Sequence, residues 1–140
     1  MTRVSHSVRE TEAIAEALAR TFVGGELIAL HGDLGAGKTQ FTRGLVKGLG
    51  GDGHVVSSPT FVLLNVYDTP RLKVFHLDAY RVHGPDDFDA IGFSELLEQR
   101  GVVVVEWPAR VQDLLPAVRI NVTLEPLSPD SRRVTIENVK

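Results

Sequence analysis

The spacing of hydrophobic and polar residues predicts a chain in which buried strands alternate with amphipathic helices. Residues 26–31, Glu-Leu-Ile-Ala-Leu-His, form the kind of short apolar run that is typical of a buried strand. Apolar residues then recur at intervals of about one helical turn, and a pair of glycines follows them. Those apolar positions are Phe41, Leu45, Val46 and Leu49, and the glycines are Gly50 and Gly51. The pattern predicts a strand, a connecting loop and a helix in succession.

A further helix is predicted upstream of this unit. Ser7 stands three residues before Glu10, which is the spacing of a capping box at the start of a helix. Apolar residues at helical spacing follow and define one face of the predicted helix. They are Ile14, Ala15, Leu18 and Phe22. We expect this helix to continue until the glycine pair at 24–25 ends it.

The other apolar runs predict strands. Residues 61–67 and 72–77 are rich in β-forming residues and are separated by Asp-Thr-Pro-Arg, which indicates a hairpin. The four valines at 102–105 suit a central strand that is buried on both faces. Residues 120–124 and 133–136 alternate between apolar and polar positions around a Ser-Pro-Asp-Ser turn. We expect them to form a second hairpin at an edge of the sheet.

The connecting segments complete the predicted architecture. Residues 85–93 are polar and rich in turn formers, residues 94–99 predict a short helix, and residues 108–115 predict a short helix or turn. The whole pattern predicts a single α/β domain over residues 1–140. Its sheet should be mixed, with a parallel core, antiparallel hairpins and helices on both faces.

The loop between the first predicted strand and its helix carries the candidate chemistry. Residues 32–39 read Gly-Asp-Leu-Gly-Ala-Gly-Lys-Thr and match the phosphate-binding P-loop at every required position. Such a loop directs backbone N–H groups towards nucleotide phosphates, and its glycines permit positive φ angles and close backbone approach. The lysine reaches the outer phosphates, and the threonine hydroxyl ligates Mg²⁺. We therefore predict a P-loop NTPase-like domain whose nucleotide contacts are Asp33, Leu34, Gly35, Ala36, Gly37, Lys38, Thr39 and Gln40.

Phosphoryl transfer also needs acids near the metal and the nucleophile. Ligands of open α/β sheets gather at the carboxyl ends of the strands, and Glu106 directly follows the run of valines. Asp78 ends the returning arm of the first hairpin, which would run in the same direction as the nucleotide strand. Either acid could instead be a solvated carboxylate at a strand end. Thr60 has the position of a switch threonine that senses the γ-phosphate, although it could equally begin a strand.

Three other residues near these motifs are given mainly structural interpretations. We interpret His31 as a packing residue beside the loop and His76 as a hydrogen-bonded core or rim histidine on a strand. Trp107 follows Glu106 and could belong to the core, line the site or face a partner. The residues between 85 and 90 resemble the start of a helix and not a metal cluster.

Composition narrows the range of functions. The chain has 140 residues, of which 43% are hydrophobic, so an ordinary globular core is expected. Its net charge is −3 and it has no run of basic residues, which argues against direct tight binding to RNA or DNA. It has no cysteine, so it can form no disulfide and no thiolate metal site. No apolar run approaches membrane-spanning length, and we expect no membrane partner and a cytoplasmic location.

The motifs together resemble those of the TsaE family. They are the loop at 32–39, Ser-Pro-Thr-Phe at 58–61, His-Leu-Asp-Ala-Tyr-Arg at 76–81 and Val-Glu-Trp-Pro at 105–108. Members are small bacterial ATPases needed for the threonylcarbamoyl modification of adenosine beside the tRNA anticodon. One departure is Ala109-Arg110, where the family often has another acid after Trp-Pro.

The resemblance implies specific cofactors, partners and residue roles. ATP and Mg²⁺ would be the cofactors, and a TsaB–TsaD-type transferase complex would be the protein partner, with tRNA contacted only indirectly. Lys38 and Thr39 would hold phosphate and metal, and Glu106 would be an acid at the metal. Asp78 would be a second acid needed for hydrolysis, acting either on the metal or on the attacking water. The resemblance thus implies that the catalytic residues would be Asp78, Lys38 and Glu106 and that the metal ligands would be Thr39 and Glu106. Thr60, Tyr80 and Trp107 would lie around the site, and the turn at 128–132 would approach the adenine.

Two other functions fit a phosphate-binding loop. A small-molecule kinase would transfer phosphate to an acceptor, and a binding-only sensor would consume no ATP. The sequence has neither an evident acceptor site nor a long insertion that could serve as a kinase lid. It also has no clear arginine finger, although Arg43 and Arg81 are candidates. We therefore expect an ATPase that turns over slowly alone and faster with its partners.

Overall fold

The computed structural model describes residues 1–33, 35–57, 63–83 and 85–139, and these residues build one seven-stranded sheet. The strands are β1 Thr2–Ser5, β2 Leu27–His31, β3 Leu64–Tyr67, β4 Val74–Asp78, β5 Val102–Glu106, β6 Arg119–Pro126 and β7 Arg132–Val139. Their order across the sheet is β1-β7-β6-β2-β5-β4-β3. Strands β6, β2, β5 and β4 run parallel, whereas β3, β7 and β1 add antiparallel pairings. The predicted mixed sheet with a parallel core is confirmed.

Helices cover both faces of the sheet. The α-helices are α1 Val8–Ala19, α2 Lys38–Gly48, α3 Pro85–Ala90 and α4 Phe93–Glu98. Short 3₁₀ helices span Gly53–Val55 and Pro108–Leu114. Because side chains alternate along a strand, Ile28 and Leu30 of β2 pack on the side of α1 and α2. Leu27 and Ala29 face the cluster that includes α3, α4 and the second 3₁₀ helix.

The strand predictions hold in the centre of the sheet. Strand β5 lies between β2 and β4, and all five of its residues are buried, as expected of a strand covered on both faces. Strands β3 and β4 form the first predicted hairpin, and β4 runs parallel to β5. Strands β6 and β7 form the second hairpin.

The position predicted for the second hairpin was wrong. Strand β6 pairs in parallel with β2, and the unpredicted strand β1 adds to the far side of β7. The hairpin therefore lies inside the sheet and not at its edge. Strand β1 is only four residues long and mostly exposed, and its sequence lacks the apolar alternation that predicts a strand. It could be recognised as a strand only from its pairing with β7.

The end predicted for the first helix was also wrong. Helix α1 ends at Ala19, before the glycine pair at 24–25, although Phe22 is still buried at 1% exposure. The guanidinium of Arg71 donates hydrogen bonds to the carbonyls of Ala19 and Phe22, at 3.3 and 2.7 Å. A side chain that is 52 residues away in sequence thus satisfies helix-end carbonyls, and the glycines are not needed as a stop.

Smaller differences concern the second half of the chain. The segment predicted to be turn-rich contains the short helix α3, and the next helix begins at Phe93, one residue before the predicted start. The segment after β5 is a kinked 3₁₀ helix, in agreement with the predicted helix or turn. Among the described residues, no helix is long and apolar enough to cross a membrane.

Candidate nucleotide site

The glycine-rich loop connects β2 to α2 at the carboxyl edge of the sheet. Strand β2 ends at His31 and α2 begins at Lys38, so the loop occupies the predicted strand-to-helix turn. Gly35 and Gly37 have φ angles of 79° and 103°, a conformation that a side chain would strain. The N-cap residue of α2 is Gly37, which has no side chain that could accept a hydrogen bond from the first amides of the helix. These amides are therefore available to an anion that lies in the loop.

The two candidate acids lie at the same edge as the loop. In the parallel core, Glu106 is in register with Leu30 of β2, and Asp78 is in register with Glu106. Asp78 and Glu106 are both buried, with 4% and 3% exposure, so neither is the solvated carboxylate considered from the sequence. Strand β4 runs in the same direction as β2, which is the direction that the prediction for Asp78 assumed.

Lys38 is the cation at the centre of this arrangement. Its Nζ lies 3.7 Å from Oε1 of Glu106 and 3.8 Å from the ring centroid of Trp107. The side chain is only 6% exposed, and Nζ has no hydrogen-bond partner among the residues that the structure describes. Burial lowers the pKa of Lys38, whereas the charge of Glu106 opposes that shift. A buried ammonium with three unused donors suits the phosphate oxygens of a nucleotide.

Asp78 is held by its own strand end. Its Oδ1 accepts a hydrogen bond from the backbone N–H of Tyr80 at 2.8 Å. Burial raises the pKa of Asp78, while the Tyr80 amide opposes the shift and the charge of Glu106 adds to it. The Tyr80 ring packs against Trp107 with 5.0 Å between centroids. An acid with a raised pKa beside a phosphate loop is a candidate for chemistry at the nucleotide.

Glu106 has a buried partner that the sequence did not reveal as part of the site. Its Oε2 lies 2.5 Å from Nε2 of His76, and Nδ1 of His76 lies 3.0 Å from the Tyr67 hydroxyl. His76 has no exposed surface. The sequence prediction of a hydrogen-bonded core histidine agrees with this position, but the partner carboxylate could not be identified without the pairing of β4 with β5.

Arg132 belongs to the turn at 128–132 that the resemblance placed near the adenine, but its contact with the glycine-rich loop was not predicted. Its guanidinium donates to the carbonyls of Ala36 at 3.0 Å and Gly35 at 3.3 Å. The same group also donates to carbonyls of the β6–β7 turn, those of Ser128, Pro129 and Ser131. Arg132, which is 96 residues from Ala36 in the chain, therefore connects the glycine-rich loop to the β6–β7 turn. No local motif signals a contact of that separation.

The loop and the acids enclose a cavity of about 470 Å³, a volume in the usual range for small ligands. Its lining residues are Gly35, Gly37, Lys38, Thr39, Gln40, Asp78, Tyr80, Arg81, Glu106 and Trp107. The structure thus brings together most of the predicted site residues, with Ala36 buried in the loop behind them. Asp33 lies further along the edge, where it lines a neighbouring cavity with Trp107. Leu34 and Thr60 were also predicted to belong to the site, and they lie outside the described residues.

The other predictions for single residues have mixed outcomes. Arg81 lines the cavity, whereas Arg43 is not among the lining residues and donates through Nη2 to the carbonyl of Val56 at 3.3 Å. Arg81 is therefore the better placed of the two arginines. His31 is half-buried beside Asn121, and burial lowers its pKa. Trp107 lines the site, with a positive φ of 57° that is uncommon for a bulky residue.

The oxygen donors of this cavity fit a nucleotide-bound Mg²⁺. Within the described ranges, no group of three or more His, Cys, Asp and Glu residues could hold a metal by itself. Mg²⁺ in nucleotide sites is commonly held by one or two protein oxygens together with phosphate and water. The Thr39 hydroxyl and the Glu106 carboxylate are such donors, and both line the cavity.

Comparison with known proteins identifies the family. The model of the family described as "Threonylcarbamoyl adenosine biosynthesis protein TsaE" matches residues 5–134. The chain belongs to the TsaE family. All four motifs that suggested the resemblance lie within the matched stretch, and the family is involved in biosynthesis of threonylcarbamoyladenosine in tRNA.

Individual TsaE proteins are similar over most of the chain. The proteins named tRNA threonylcarbamoyladenosine biosynthesis protein TsaE from Treponema pallidum and Bacillus subtilis are 38% and 37% identical to it. The first alignment covers 95% of this chain and 97% of the relative, and the second covers 93% and 80%. The crystal structure of Bacillus subtilis YdiB superimposes with a TM-score of 0.82 at 31% identity, covering 100% of this chain and 86% of that one.

Proposed function

We propose that this TsaE-family chain is a Mg²⁺-dependent ATPase whose hydrolysis cycle supports threonylcarbamoyladenosine modification of tRNA through a partner transferase complex. The observation that carries the proposal is the convergence of Lys38, Asp78 and Glu106 on one cavity beside the glycine-rich loop. A loop alone would explain binding of a nucleotide. Two buried acids at neighbouring strand ends add the groups that hydrolysis needs.

Each of these side chains has a proposed task. Lys38 moves from its position between Glu106 and Trp107 and donates hydrogen bonds to the β- and γ-phosphates. Charge-assisted hydrogen bonds to phosphate are stronger than the 3.7 Å contact with Glu106, so the move is favourable. Thr39 and Glu106 would hold the metal, which would supply positive charge to the phosphates when bound. Asp78 orients the attacking water, because its carboxylate lines the same cavity and accepts only one described hydrogen bond.

The base of the nucleotide is proposed to lie beside the β6–β7 turn. A second cavity of about 400 Å³ shares Gly35, Gly37 and Gln40 with the first and is also lined by Arg132. A ligand with its phosphates in the loop could therefore extend into this space. This position supports the proposal that the turn at 128–132 approaches the adenine.

The partner proposed for the chain is a TsaB–TsaD-type complex. The family role in tRNA modification supports a partner that carries the transferase chemistry. The net charge of −3 is unfavourable for direct binding to the tRNA backbone, so the chain is proposed to act on the transferase and not on the tRNA itself. Arg81 is exposed at the cavity and is the candidate arginine finger within the chain.

A steady-state assay of the purified chain tests this proposal. We expect slow release of inorganic phosphate from Mg-ATP alone and faster release after addition of TsaB and TsaD. Asp78→Asn should retain most of the ATP affinity and lose hydrolysis by about 10²-fold or more, because the amide cannot act as a base towards water. Asp68→Asn is the matched control, since Asp68 is exposed in the β3–β4 turn.

Three results would contradict the proposal. Full activity without partners, unchanged when they are added, would remove the coupled cycle. Phosphate that appears on an added nucleoside, sugar or coenzyme precursor would indicate a kinase. Tight ATP binding with no hydrolysis in the complete mixture would indicate a sensor.

A further inference from the structure

Behind the cavity, three buried side chains form a continuous polar chain from Glu106 to the backbone of Ser57. Glu106 contacts Nε2 of His76, and Nδ1 of His76 contacts the hydroxyl of Tyr67. The Tyr67 hydroxyl oxygen in turn lies 3.1 Å from the carbonyl oxygen of Ser57. The chain thus runs through β5, β4 and β3 in the order in which these strands lie in the sheet.

Because these side chains are buried, the loss of any one of these hydrogen bonds would leave a polar group without a partner. His76 is fully buried, while Glu106 and Tyr67 are 3% and 5% exposed, so water cannot readily replace a missing partner. Glu106 has one oxygen towards Lys38 and the other towards His76. Its carboxylate is therefore held from both sides, and only the Lys38 side opens on the cavity.

The hydrogen-bond requirements define the role of each imidazole nitrogen. A carboxylate only accepts, so Nε2 of His76 must carry the proton that it shares with Glu106. The second nitrogen, Nδ1, meets the Tyr67 hydroxyl, whose single hydrogen goes either to Nδ1 or to the Ser57 carbonyl, and this contact orients the ring. In metal sites, residues that do not touch the metal often orient a ligand by hydrogen-bonding to it. His76 stands in this relation to the Glu106 carboxylate.

We propose that His76 is a positioning residue that fixes the Glu106 carboxylate for Mg²⁺, with Tyr67 fixing His76 in turn. The inference rests on the proposed function, since it assigns a task at the same metal-nucleotide site. His76 touches neither the cavity nor a reacting atom. Its effect passes through Glu106 and should therefore be larger on binding of the metal than on binding of metal-free nucleotide.

Two amide substitutions at His76 separate the contributions of its ring nitrogens. The Gln amide nitrogen reaches the place of Nε2 and can still donate to Glu106, whereas the shorter Asn amide reaches only the place of Nδ1. His76→Asn should thus lose the bond to Glu106, and His76→Gln should keep it. Tyr67→Phe keeps the ring and removes only the hydroxyl at the far end of the chain.

The experiment measures Mn²⁺ binding by electron paramagnetic resonance in the presence of a non-hydrolysable ATP analogue. Affinity for the metal-free analogue and the thermal unfolding midpoint are measured on the same samples. His76→Asn should weaken Mn²⁺ binding by about 10-fold or more, as loss of an outer partner typically does. His76→Gln should stay within about threefold of the wild type, and Tyr67→Phe should fall between the two. Metal-free analogue affinity should change less than about twofold in all three.

The outcomes distinguish this proposal from the proposed function. Wild-type chain that binds no Mn²⁺ with the analogue would overturn both. Wild-type binding that His76→Asn leaves unchanged would overturn the role of His76 alone. A greater loss in His76→Gln than in His76→Asn, or equal losses of metal and metal-free analogue that follow the unfolding midpoint, would also overturn it, because the histidine would then be merely structural.

Discussion

The ammonium of Lys38 lies between the Glu106 carboxylate, 3.7 Å away, and the face of the Trp107 ring, 3.8 Å away. Neither contact is a hydrogen bond, and the group is nearly excluded from water. Burial lowers the pKa of this lysine despite the neighbouring acids. The ammonium thus lies where water solvates it poorly, and a bound anion would supply the interactions that water does not.

Replacement of Lys38 should therefore lower both activity and stability. Lys38→Met keeps the apolar stem and removes the charge, so we expect hydrolysis of ATP to fall by about 10²–10³-fold. The thermal unfolding midpoint should also fall, because the buried Glu106 carboxylate loses the partner of its ion pair. Phosphate-release assays and thermal unfolding check both parts.

A second lysine on the same helix provides the control for that variant. Lys47 is half-exposed and forms ion pairs with Glu12 and Glu16. Lys47→Met should leave hydrolysis within about twofold and should change stability by less than about 1 kcal/mol. An equal loss of hydrolysis in both variants would contradict a specific role for Lys38.

Trp107 should report directly on nucleotide binding. It is the single tryptophan of the chain, and the Lys38 ammonium lies over its ring. Movement of that ammonium to a phosphate would change the environment of the indole, so titration with ATP should change the fluorescence emission. Lys38→Met should show no such change at equal nucleotide occupancy. Calorimetric binding without any fluorescence change in the wild type would contradict movement of Lys38.

The stability of the Asp78→Asn variant should depend on pH in a defined direction. Burial raises the pKa of Asp78 in the folded chain above its ordinary value of 3.8. Well below pH 3.8 the Asp78 carboxyl is protonated in both the folded and the unfolded state, so it does not change the free energy of unfolding with pH. As the pH rises through the raised pKa, the folded state bears an ionised buried carboxylate that the unfolded state solvates. The wild type thus loses stability relative to Asp78→Asn over that interval.

Denaturant unfolding at several pH values checks this prediction. The variant should be more stable than the wild type at pH 7, and the difference should disappear as the pH falls towards 3.8. A difference that grows at low pH would mean that the ionised form of Asp78 stabilises the fold, contrary to the effect of its burial.

Close packing of α1 on α2 predicts a large effect from a single methyl group. A Cβ at Gly44 would lie 2.6 Å from Cβ of Ala15 and closer still to the carbonyl oxygen of Glu12. In an open helix this change would gain about 0.5–1 kcal/mol, because alanine favours helices. Here overpacking should dominate, and we expect Gly44→Ala to lower the free energy of unfolding by about 1–3 kcal/mol.

Urea unfolding tests this expectation, with Lys47→Ala as a control at an exposed position of the same helix. The control should change the free energy of unfolding by less than about 1 kcal/mol. Stabilisation by Gly44→Ala would show that α1 moves away from α2 without cost.

The local elements and the glycine-rich loop could be predicted from the sequence, because each depends on residues that are close together in the chain. Residues 32–39 combine glycines, a lysine and a threonine in one turn, and the valines at 102–105 form a buried strand. The position of Glu106 after that strand was sufficient to place it at the edge where the loop lies. Asp78 needed one further assumption, the direction of its hairpin.

Only the tertiary structure decided the contacts between strands and between segments that are distant in the chain. The pairing of β4 with β5 places His76 against Glu106, and the β6–β7 turn brings Arg132 to Gly35 and Ala36. The contact of Arg71 with the end of α1 and the pairing of β1 with β7 also join segments that are distant in the chain. A periodic pattern records which face of an element is buried, whereas the register between elements depends on which complementary surfaces fit and on which buried polar groups find partners.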